Sequence, residues 1–390
     1  APVIGLVDCS GLRLQEATDA LDGFGQMYLN QTMASGVVPQ ICAVFGSCGG
    51  GMAVSSAIAD FVFMEEKAKM FVNSPNALAG NDEKKCDTAS ADFQSGESGL
   101  ADVVGSAEEI LAKVRTLVSV LPANNEDDMS YDECGDDLNR LCENIESFRG
   151  DTGKALSMIS DDGFFFEVKE NYGPEMVTAF IRLNGMTVGC VANRTEVLDE
   201  ENEKTAEYEP VLGARGCDKA AEFVSFCDAF NIPVLALVNV KGYKQSKCTE
   251  RRIAKAAGRL TYAFANADVP KVTVVIGEAY GSAYVTMNSK SIGADIVYAW
   301  PDAKIGMMDA AAAVKIMYAE EISASDKAAA LISEKAAEYE ALQSSAAAAA
   351  GRGYVDDIIK ADETRQRVIA AFEMLFTKRE GRPSRKHGTV

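Results

Sequence analysis

The sequence predicts an α/β protein built from two copies of one strand–helix unit. Apolar stretches of strand length alternate along the 390-residue chain with stretches of helical periodicity, as in parallel βα units. Similar segments recur at a regular spacing, and in each copy a glycine-containing turn joins an apolar strand to a helix. Hydrophobic residues make up 47% of the chain and charged residues 25%, which suits a globular fold and excludes disordered and collagen-like classes.

The spacing of the recurring segments is the strongest of these observations. The matched segments are residues 2–8 with 233–239, 38–46 with 269–277, and 59–63 with 294–298. The first two pairs lie 231 residues apart and the third lies 235 apart, so the second copy carries four additional residues. The alternative is that unrelated strands share a composition, and the constant order of three blocks disfavours it.

The elements of the first copy follow from its residues. Residues 2–7 are predicted to form an apolar strand, and the helix after it carries Leu21, Phe24 and Tyr28 three or four residues apart. Residues 41–45 are apolar throughout, as expected for a strand that is buried on both faces of a parallel sheet. The first copy is therefore predicted to run from strand to helix to strand and then into the glycine turn.

The remaining elements lie between and after the two copies. A polar connection spans residues 81–151, and further strands are predicted at residues 164–168, 176–183 and 187–192. Asn184-Gly185 predicts a tight hairpin turn between the last two strands. After the second copy, an alanine-rich helical stretch covers about residues 320–350, and a final amphipathic helix follows Asp362.

The repeat predicts two subdomains, residues 1–150 and residues 151–390. Predicted strands precede the second copy, whereas the first copy begins at Pro2, inside its first strand. A fold rarely begins in the middle of its core. We therefore expect further sequence upstream, with the first copy truncated at its N-terminus.

Charge and cysteine content limit the function classes. The chain has 38 Lys and Arg residues against 58 Asp and Glu residues, a net charge of −20, which makes nucleic acid an unfavourable partner. Its ten cysteines form no C-x-x-C pair, and no apolar run reaches the length of a bilayer span. These features predict a reduced, cytoplasmic protein.

The single histidine narrows the chemistry further. His387 lies close to the C-terminus among basic residues, where a solvated side chain is expected. The sequence therefore disfavours a Ser-His-Asp triad, a Cys-His pair and a multi-histidine metal site, and we expect no metal. Any general base must be another side chain, a backbone group or the substrate itself.

Two glycine turns are the candidate sites. The first is Gly46-Ser47-Cys48-Gly49-Gly50-Gly51, and its repeat partner begins at Gly277 and continues through Gly281-Ser282-Ala283. Glycine allows a ligand to approach the backbone closely, and the first amides of a helix are unpaired, so such a turn can stabilise an oxyanion. Neither turn matches the phosphate-binding or dinucleotide-binding fingerprint. The alternative is a glycine requirement for packing alone, but two equivalent turns favour two carbonyl-polarising sites.

A basic segment follows the second copy of the first strand. Its cations are Lys241, Lys244, Lys247, Arg251, Arg252, Lys255 and Arg259. In an acidic chain this segment could face an anionic ligand such as a nucleotide phosphate, or it could be a solvated helix face. The sequence leaves these two interpretations open.

Several stretches resemble the biotin-dependent acyl-CoA carboxyltransferases. They are residues 13–17, 34–40, 226–233, 298–301 and 378–388. The resemblance covers nearly the whole chain and is closest to the carboxyltransferase subunits of methylmalonyl-CoA decarboxylases and propionyl-CoA carboxylases. It implies duplicated crotonase-like (ClpP/crotonase) ββα superhelix domains.

The resemblance also implies roles for the glycine turns. The amides of Gly50 and Gly51 would hold the enolate oxygen of a CoA thioester. Those of Ser282 and Ala283 would hold the ureido oxygen of biotin, whose nitrogen exchanges the proton with the α-carbon, so that no histidine base is needed.

Further substrate contacts and partners are implied in the same way. The substrate-binding residues would be Gly49, Gly281 and Val285, the last of which would limit acyl size. The substrate would be a short acyl-CoA, methylmalonyl/propionyl-CoA or malonyl/acetyl-CoA. Biotin would arrive on a separate carrier protein, and the chain would form a homo-oligomer, a dimer or a trimer of dimers. A membrane decarboxylase partner remains open.

The sequence departs from the family in the half assigned to biotin. Lys241-Gly242-Tyr243 stands where members commonly have Pro-Gly-Phe, residues 251–259 replace a glycine-rich stretch, and Asp309 replaces a glycine. These changes keep open the alternative of a non-catalytic crotonase-like scaffold that no longer binds biotin. A separate and less favoured alternative is an enoyl-CoA hydratase-type enzyme.

Overall fold

A computed structural model describes residues 1–127 and 132–383, and the chain divides into two compact units. Unit 1 comprises Ala1–Tyr131, Phe166–Gly173 and Ala229–Asn231. Unit 2 comprises Asp132–Phe165, Pro174–Asp228 and Ile232–Val390. Among the described residues, no helix combines the length and the apolar character needed to cross a bilayer.

Unit 1 is a parallel sheet with helices. The strands of this sheet are β1 (Val3–Cys9), β2 (Gln40–Gly49), β3 (Phe61–Glu65), β4 (Lys69–Phe71) and β5 (Val103–Gly105), and the short β6 (Phe166–Glu167) lies outside it. Its α-helices are α1 (Ala17–Ala34), α2 (Gly51–Ile58) and α3 (Ala107–Val120). The strand order is β1-β2-β3-β5, and β4 pairs with the carboxyl end of β2.

The core of unit 1 is formed by its central strands. Cys42 and Val44 of β2 pack with Val62 and Met64 of β3, and all four side chains are buried. Helix α3 adds a capping box, in which Ser106 and Glu109 bond each other's backbone amides, so the helix start is fixed locally. The apolar run predicted at residues 41–45 is therefore confirmed as an interior strand.

Unit 2 contains a larger mixed sheet. Its strands are β7 (Met176–Leu183), β8 (Met186–Asn193), β9 (Glu196–Leu198), β10 (Lys204–Glu207), β11 (Val211–Leu212), β12 (Val234–Val240), β13 (Gly242–Tyr243), β14 (Lys271–Tyr280), β15 (Ile296–Ala299), β16 (Lys304–Gly306) and β17 (Asp357–Ile358). The main sheet has the order β17-β15-β14-β12-β8-β7, and β16 pairs with β14. Strands β7 and β8 are antiparallel, whereas the pairs from β8 to β17 are parallel.

The helices of unit 2 complete its layers. They are α4 (Thr152–Ile159), α5 (Ala214–Ala229), α6 (Lys247–Glu250), α7 (Ile253–Asn266), α8 (Gly281–Thr286), α9 (Ala310–Met317), α10 (Ala319–Ala324), α11 (Ala328–Tyr339), α12 (Ala346–Gly351) and α13 (Thr364–Leu375). The hairpin predicted at Asn184-Gly185 is confirmed, because both residues have positive φ, 52° and 74°, as a type I′ turn requires. The alanine-rich stretch is divided among α10, α11 and α12.

The strand pairings recur at the spacings seen in the sequence. Val3 pairs with Gln40 in unit 1, and Val234 pairs with Lys271 in unit 2, each residue 231 positions later. The register irregularity after Val7 in β1 reappears after Val238 in β12. Strand β3 joins β2 as β15 joins β14, with the spacing changed to 235 for the third strand. The spacings of 231 and 235 residues predicted from the sequence therefore also relate the paired strands of the two units.

Candidate active site: two glycine turns

The first glycine turn connects β2 to α2. Gly50 has φ 59°, a left-handed conformation that favours glycine, and its N–H donates to the carbonyl of Phe71 at 2.8 Å. The carbonyl of Gly50 accepts the N–H of Ala53 at 3.2 Å, so the turn leads directly into the helix. A Cβ on Gly49 would lie 2.7 Å from the carbonyl oxygen of Ser10. The glycines are thus required by backbone conformation and by close approach.

The predicted amide pair, Gly50 and Gly51, changes because of the hydrogen bond that Gly50 makes. Its N–H is used inside the chain, whereas Gly51 and Met52 occupy the first helical positions, whose amides have no partner within a helix. By the 231-residue spacing, Gly51 and Met52 correspond to Ser282 and Ala283 of the second turn. Among the described residues, the amides of the first turn that have no partner within the helix are therefore those of Gly51 and Met52, and Gly50 supplies the bend that precedes them.

A side chain from the end of β1 braces the first turn. Asp8 accepts the backbone N–H of Ser47 at 2.9 Å, and a Cβ on Gly46 would collide with the Asp8 carboxylate. The bond fixes the segment that precedes the turn. Sequence reasoning did not identify Asp8 as part of the site, although its place at the end of a parallel strand, beside the turn, was a usable indication.

The second turn is built in the same way in unit 2. Gly281 has φ 63°, and Asn239, the equivalent of Asp8, accepts the N–H of Glu278 at 3.1 Å. A Cβ on Gly277 would lie 2.6 Å from the Asn239 amide oxygen. Glu278 is also paired with Lys241, with 2.9 Å between Nζ and Oε2. The carboxylate next to this turn, Glu278, is therefore part of an ion pair with Lys241.

Hydroxyl groups support the helix that follows the second turn. The Tyr243 hydroxyl lies 3.0 Å from Thr286 Oγ1, which lies 3.1 Å from Thr261 Oγ1. Burial raises the pKa of Tyr284 to about 12, and its hydroxyl is buried without a hydrogen-bond partner among the described residues. Val285, on the same helix, is 36% exposed. Tyr243 thus ties its loop to α8.

The basic segment is partly neutralised by carboxylates. Asp218, a largely buried side chain of α5, bonds Arg252 Nη2 at 2.7 Å and Arg259 Nη1 at 3.2 Å. Together with the Lys241–Glu278 pair, these contacts give three cations of the segment intramolecular partners. Within the described ranges, no group of three His, Cys, Asp or Glu side chains could hold a metal ion. All ten cysteines are free thiols, and His387 lies outside the described residues.

The whole chain is similar to one known protein family. Residues 1–390 match the carboxyl transferase domain. The chain belongs to the carboxyl transferase domain family. The predicted resemblance is therefore confirmed, and it extends along the whole chain.

The relatives of this carboxyl transferase domain are enzymes by name. The methylmalonyl-CoA carboxyltransferase 12S subunit of Propionibacterium freudenreichii subsp. shermanii is 38% identical over 99% of this chain and 74% of its own length. The methylmalonyl-CoA decarboxylase subunit alpha of Propionigenium modestum is also 38% identical, over 100% of this chain and 76% of its own. The prediction of an enzyme of the carboxyltransferase or decarboxylase type is confirmed, and neither the scaffold nor the hydratase alternative is favoured.

A solved structure agrees with the fold. A transcarboxylase 12S crystal structure, described as a hexamer with methylmalonyl-coenzyme A and methylmalonic acid bound, superposes with a TM-score of 0.90. It is 36% identical and covers 99% of this chain and 75% of that one. The mixed α/β class predicted from the sequence is confirmed by this match.

Proposed function

We propose that this protein moves a carboxyl group between a short acyl-CoA, of the methylmalonyl/propionyl or malonyl/acetyl type, and biotin on a separate carrier protein. The observation that carries the proposal is the pair of equivalent glycine turns, each opening a helix whose first amides have no partner within that helix. A carboxyl transfer involves two carbonyl groups, one on the thioester and one on the ureido ring. One turn is available for each.

The first turn is assigned to the acyl-CoA. Removing the α-proton, or the carboxyl group, from a thioester leaves an enolate, whose oxygen carries the developing negative charge. The amides of Gly51 and Met52 would donate to this oxygen, with Gly50 providing the left-handed bend and Gly49 the close approach. Neutral backbone donors suit an oxyanion because they are already oriented and need no reorganisation.

The second turn is assigned to biotin. Its donor set fits the group, because the Ser282 and Ala283 amides are hydrogen-bond donors that suit a ureido oxygen, and the neighbouring Glu278 carboxylate is paired with Lys241. When bound, biotin supplies the ureido nitrogen that carries the carboxyl group and exchanges the proton. The chain's own part is to bind and orient the ring, with Gly281 allowing close approach. No histidine is needed in either turn.

Neighbouring residues and partners complete the proposal. Val285, a partly exposed apolar side chain one turn beyond the amides, would limit the size of the acyl group and offers no polar handle. We also infer duplicated crotonase-like domains, residues 1–150 and 151–390, a cytoplasmic homo-oligomer (a dimer or a trimer of dimers), and a separate biotin carrier. A membrane decarboxylase partner is compatible with this assignment.

The test is a carboxyl-transfer assay between methylmalonyl-CoA and free biotin with Gly50→Val. Position 50 has open space for a Cβ, so the substitution acts through its positive φ and should disturb the amides rather than the core. We expect turnover to fall by about two orders of magnitude or more, as for loss of an oxyanion donor.

Gly80→Val is the matched control. Gly80 also has positive φ, 77°, and open space around a Cβ, but it lies in an exposed loop outside the turn. It should carry the same backbone strain and keep near-normal turnover. A folded Gly50→Val protein that is as active as Gly80→Val would overturn the assignment of the first turn.

A further inference from the structure

Helix α1 lies directly against the first glycine turn. The Tyr28 hydroxyl donates to the carbonyl oxygen of Gly51 at 2.6 Å, a short hydrogen bond between residues 23 positions apart. A Cβ on Gly51 would lie 2.7 Å from the same hydroxyl and 3.2 Å from the Phe24 ring. Phe24 and Tyr28 pack edge to face, with ring centroids 5.8 Å apart. The tyrosine is thus held over one particular peptide group.

That peptide group carries one of the two proposed donors. The carbonyl of Gly51 and the N–H of Met52 belong to the same planar amide, so fixing the oxygen also fixes the direction of the N–H. A hydrogen bond to the carbonyl draws electron density toward the oxygen and makes the N–H a stronger donor. Such cooperative strengthening is about 10–30% per bond.

We propose that Tyr28 is a positioning residue that orients and polarises the Gly51–Met52 peptide, so that the Met52 N–H binds the thioester enolate oxygen more strongly. This inference rests on the proposed function of the first turn and adds a residue to it. The phenol does not touch the substrate in this scheme. It acts through the Gly51–Met52 peptide, because its hydroxyl donates to the carbonyl oxygen of that peptide.

Two further hydrogen bonds join the same two helices without touching that peptide. Gln31, three residues after Tyr28 in α1, donates to the carbonyl of Ser55 at 3.2 Å and accepts its hydroxyl at 2.8 Å. If Tyr28 only tied α1 to α2, loss of the Gln31 bonds would have the same consequence as loss of the tyrosine hydroxyl. Gln31→Leu is therefore the matched control for Tyr28→Phe.

The experiment compares these two variants in the whole protein. Tyr28→Phe keeps the ring and its packing and removes only the hydroxyl. We expect kcat for transfer from methylmalonyl-CoA to free biotin to fall about fivefold, with KM for the CoA ester changed less than about twofold. Gln31→Leu should keep kcat within about twofold of the unmodified protein even if its thermal stability is lower.

A spectroscopic measurement separates polarisation from packing. Difference infrared spectroscopy of bound propionyl-CoA, labelled with carbon-13 at the thioester carbonyl, reports how strongly the turn polarises that bond. The shift of the carbonyl band to lower frequency should be smaller in Tyr28→Phe and unchanged in Gln31→Leu. An unchanged band in Tyr28→Phe, or equal losses of kcat in both variants, would overturn the inference.

Gly50→Val in the same series distinguishes the two proposals. If Gly50→Val abolishes the band shift and turnover while Tyr28→Phe is neutral, the turn is the acyl-CoA site and the role of Tyr28 is wrong. If Gly50→Val leaves both unchanged, the proposed function of the first turn is wrong, and the role of Tyr28 is wrong with it.

Discussion

The two glycine turns share a backbone but differ in the residues behind them. In unit 1, β1 pairs with β2 on one side, and Val3 and Leu6 are 53% and 65% exposed. In unit 2, the equivalent β12 lies between β14 and β8, and the matching side chains Val234 and Leu237 are 0% and 2% exposed. The repeat thus determines hydrogen-bond register, whereas neighbouring segments determine burial.

The supporting hydroxyl groups differ in the same way. Tyr28 bonds a backbone carbonyl of the first turn, whereas Tyr243 bonds a threonine side chain on the helix after the second. Both tyrosines come from segments next to the repeated strands. The same backbone turn is therefore supported by different side-chain contacts in the two units.

The largest effect is expected from Gly281→Val, the counterpart of Gly50→Val in the second turn. Gly281 has positive φ, and its Cβ would lie 3.3 Å from the Met307 carbonyl oxygen, so valine should displace the Ser282 and Ala283 amides. We expect turnover with free biotin to fall by about 100-fold or more. Calorimetric titration should show that propionyl-CoA affinity is retained in Gly281→Val and weakened in Gly50→Val.

Gly353→Val controls for backbone strain in the same unit. Gly353 has φ 81°, and a Cβ at this position would face open space, with no neighbouring heavy atom within 4 Å. The turnover of this variant should be near normal. Equal loss of propionyl-CoA affinity in Gly281→Val and Gly50→Val would show that the two turns do not act on different substrates.

A smaller effect is expected from Tyr243→Phe, which removes the bond to Thr286. A typical hydrogen bond contributes about 1 kcal/mol, so KM for free biotin should rise about fivefold while KM for the CoA ester stays unchanged. Tyr284→Phe is the matched control, because the Tyr284 hydroxyl is buried without a partner among the described residues. Removing that hydroxyl should be neutral or stabilising. Equal effects of the two variants would contradict a specific role for Tyr243.

The smallest expected effect concerns one aspartate in each unit. Asp60 and Asp295 occupy equivalent positions, and each accepts a backbone N–H at the start of a strand, from Gln40 at 2.7 Å and Lys271 at 2.8 Å. Asp295 also binds Lys378 at 2.9 Å. Burial raises the pKa of Asp60 to about 6. Between about pH 4 and pH 6, the folded protein therefore keeps a proton on Asp60 that the unfolded chain has released.

The sign of the pH dependence follows from that pKa. The stabilising contribution of protonated Asp60 is present at about pH 4 and is lost as pH rises through about 6. Asp60→Asn removes the buried charge and should raise the free energy of unfolding by roughly 1 kcal/mol at pH 7.5, with little gain at pH 4. Asp295→Asn should be destabilising at pH 7.5, because it removes the carboxylate nearest to the buried Lys378 ammonium and leaves Glu380, at 3.6 Å, as a more distant ion partner. Urea unfolding at both pH values tests this, and a shared sign at pH 7.5 would contradict it.

Much of the fold was determined by local sequence patterns. The strand spacings of 231 and 235, the interior strand at residues 41–45 and the hairpin at Asn184-Gly185 all follow from periodicity, apolar runs and turn chemistry, and the structure agrees with each. These features depend on residues near one another in the chain or on a repeated motif. Both turns were likewise recognisable, because glycines between a predicted strand and a predicted helix are typical of a tight turn with positive φ.

Tertiary packing, by contrast, brings together the groups that contact each turn. The Gly50 amide is engaged because Phe71, at the end of β4, brings a carbonyl to it, and Tyr28 reaches Gly51 because α1 packs against the turn. Asp8 and Asn239 become braces only when parallel strands place them beside the following turn. Such contacts join residues 20 to 40 positions apart, and no local pattern encodes them, since they depend on how strands and helices pack.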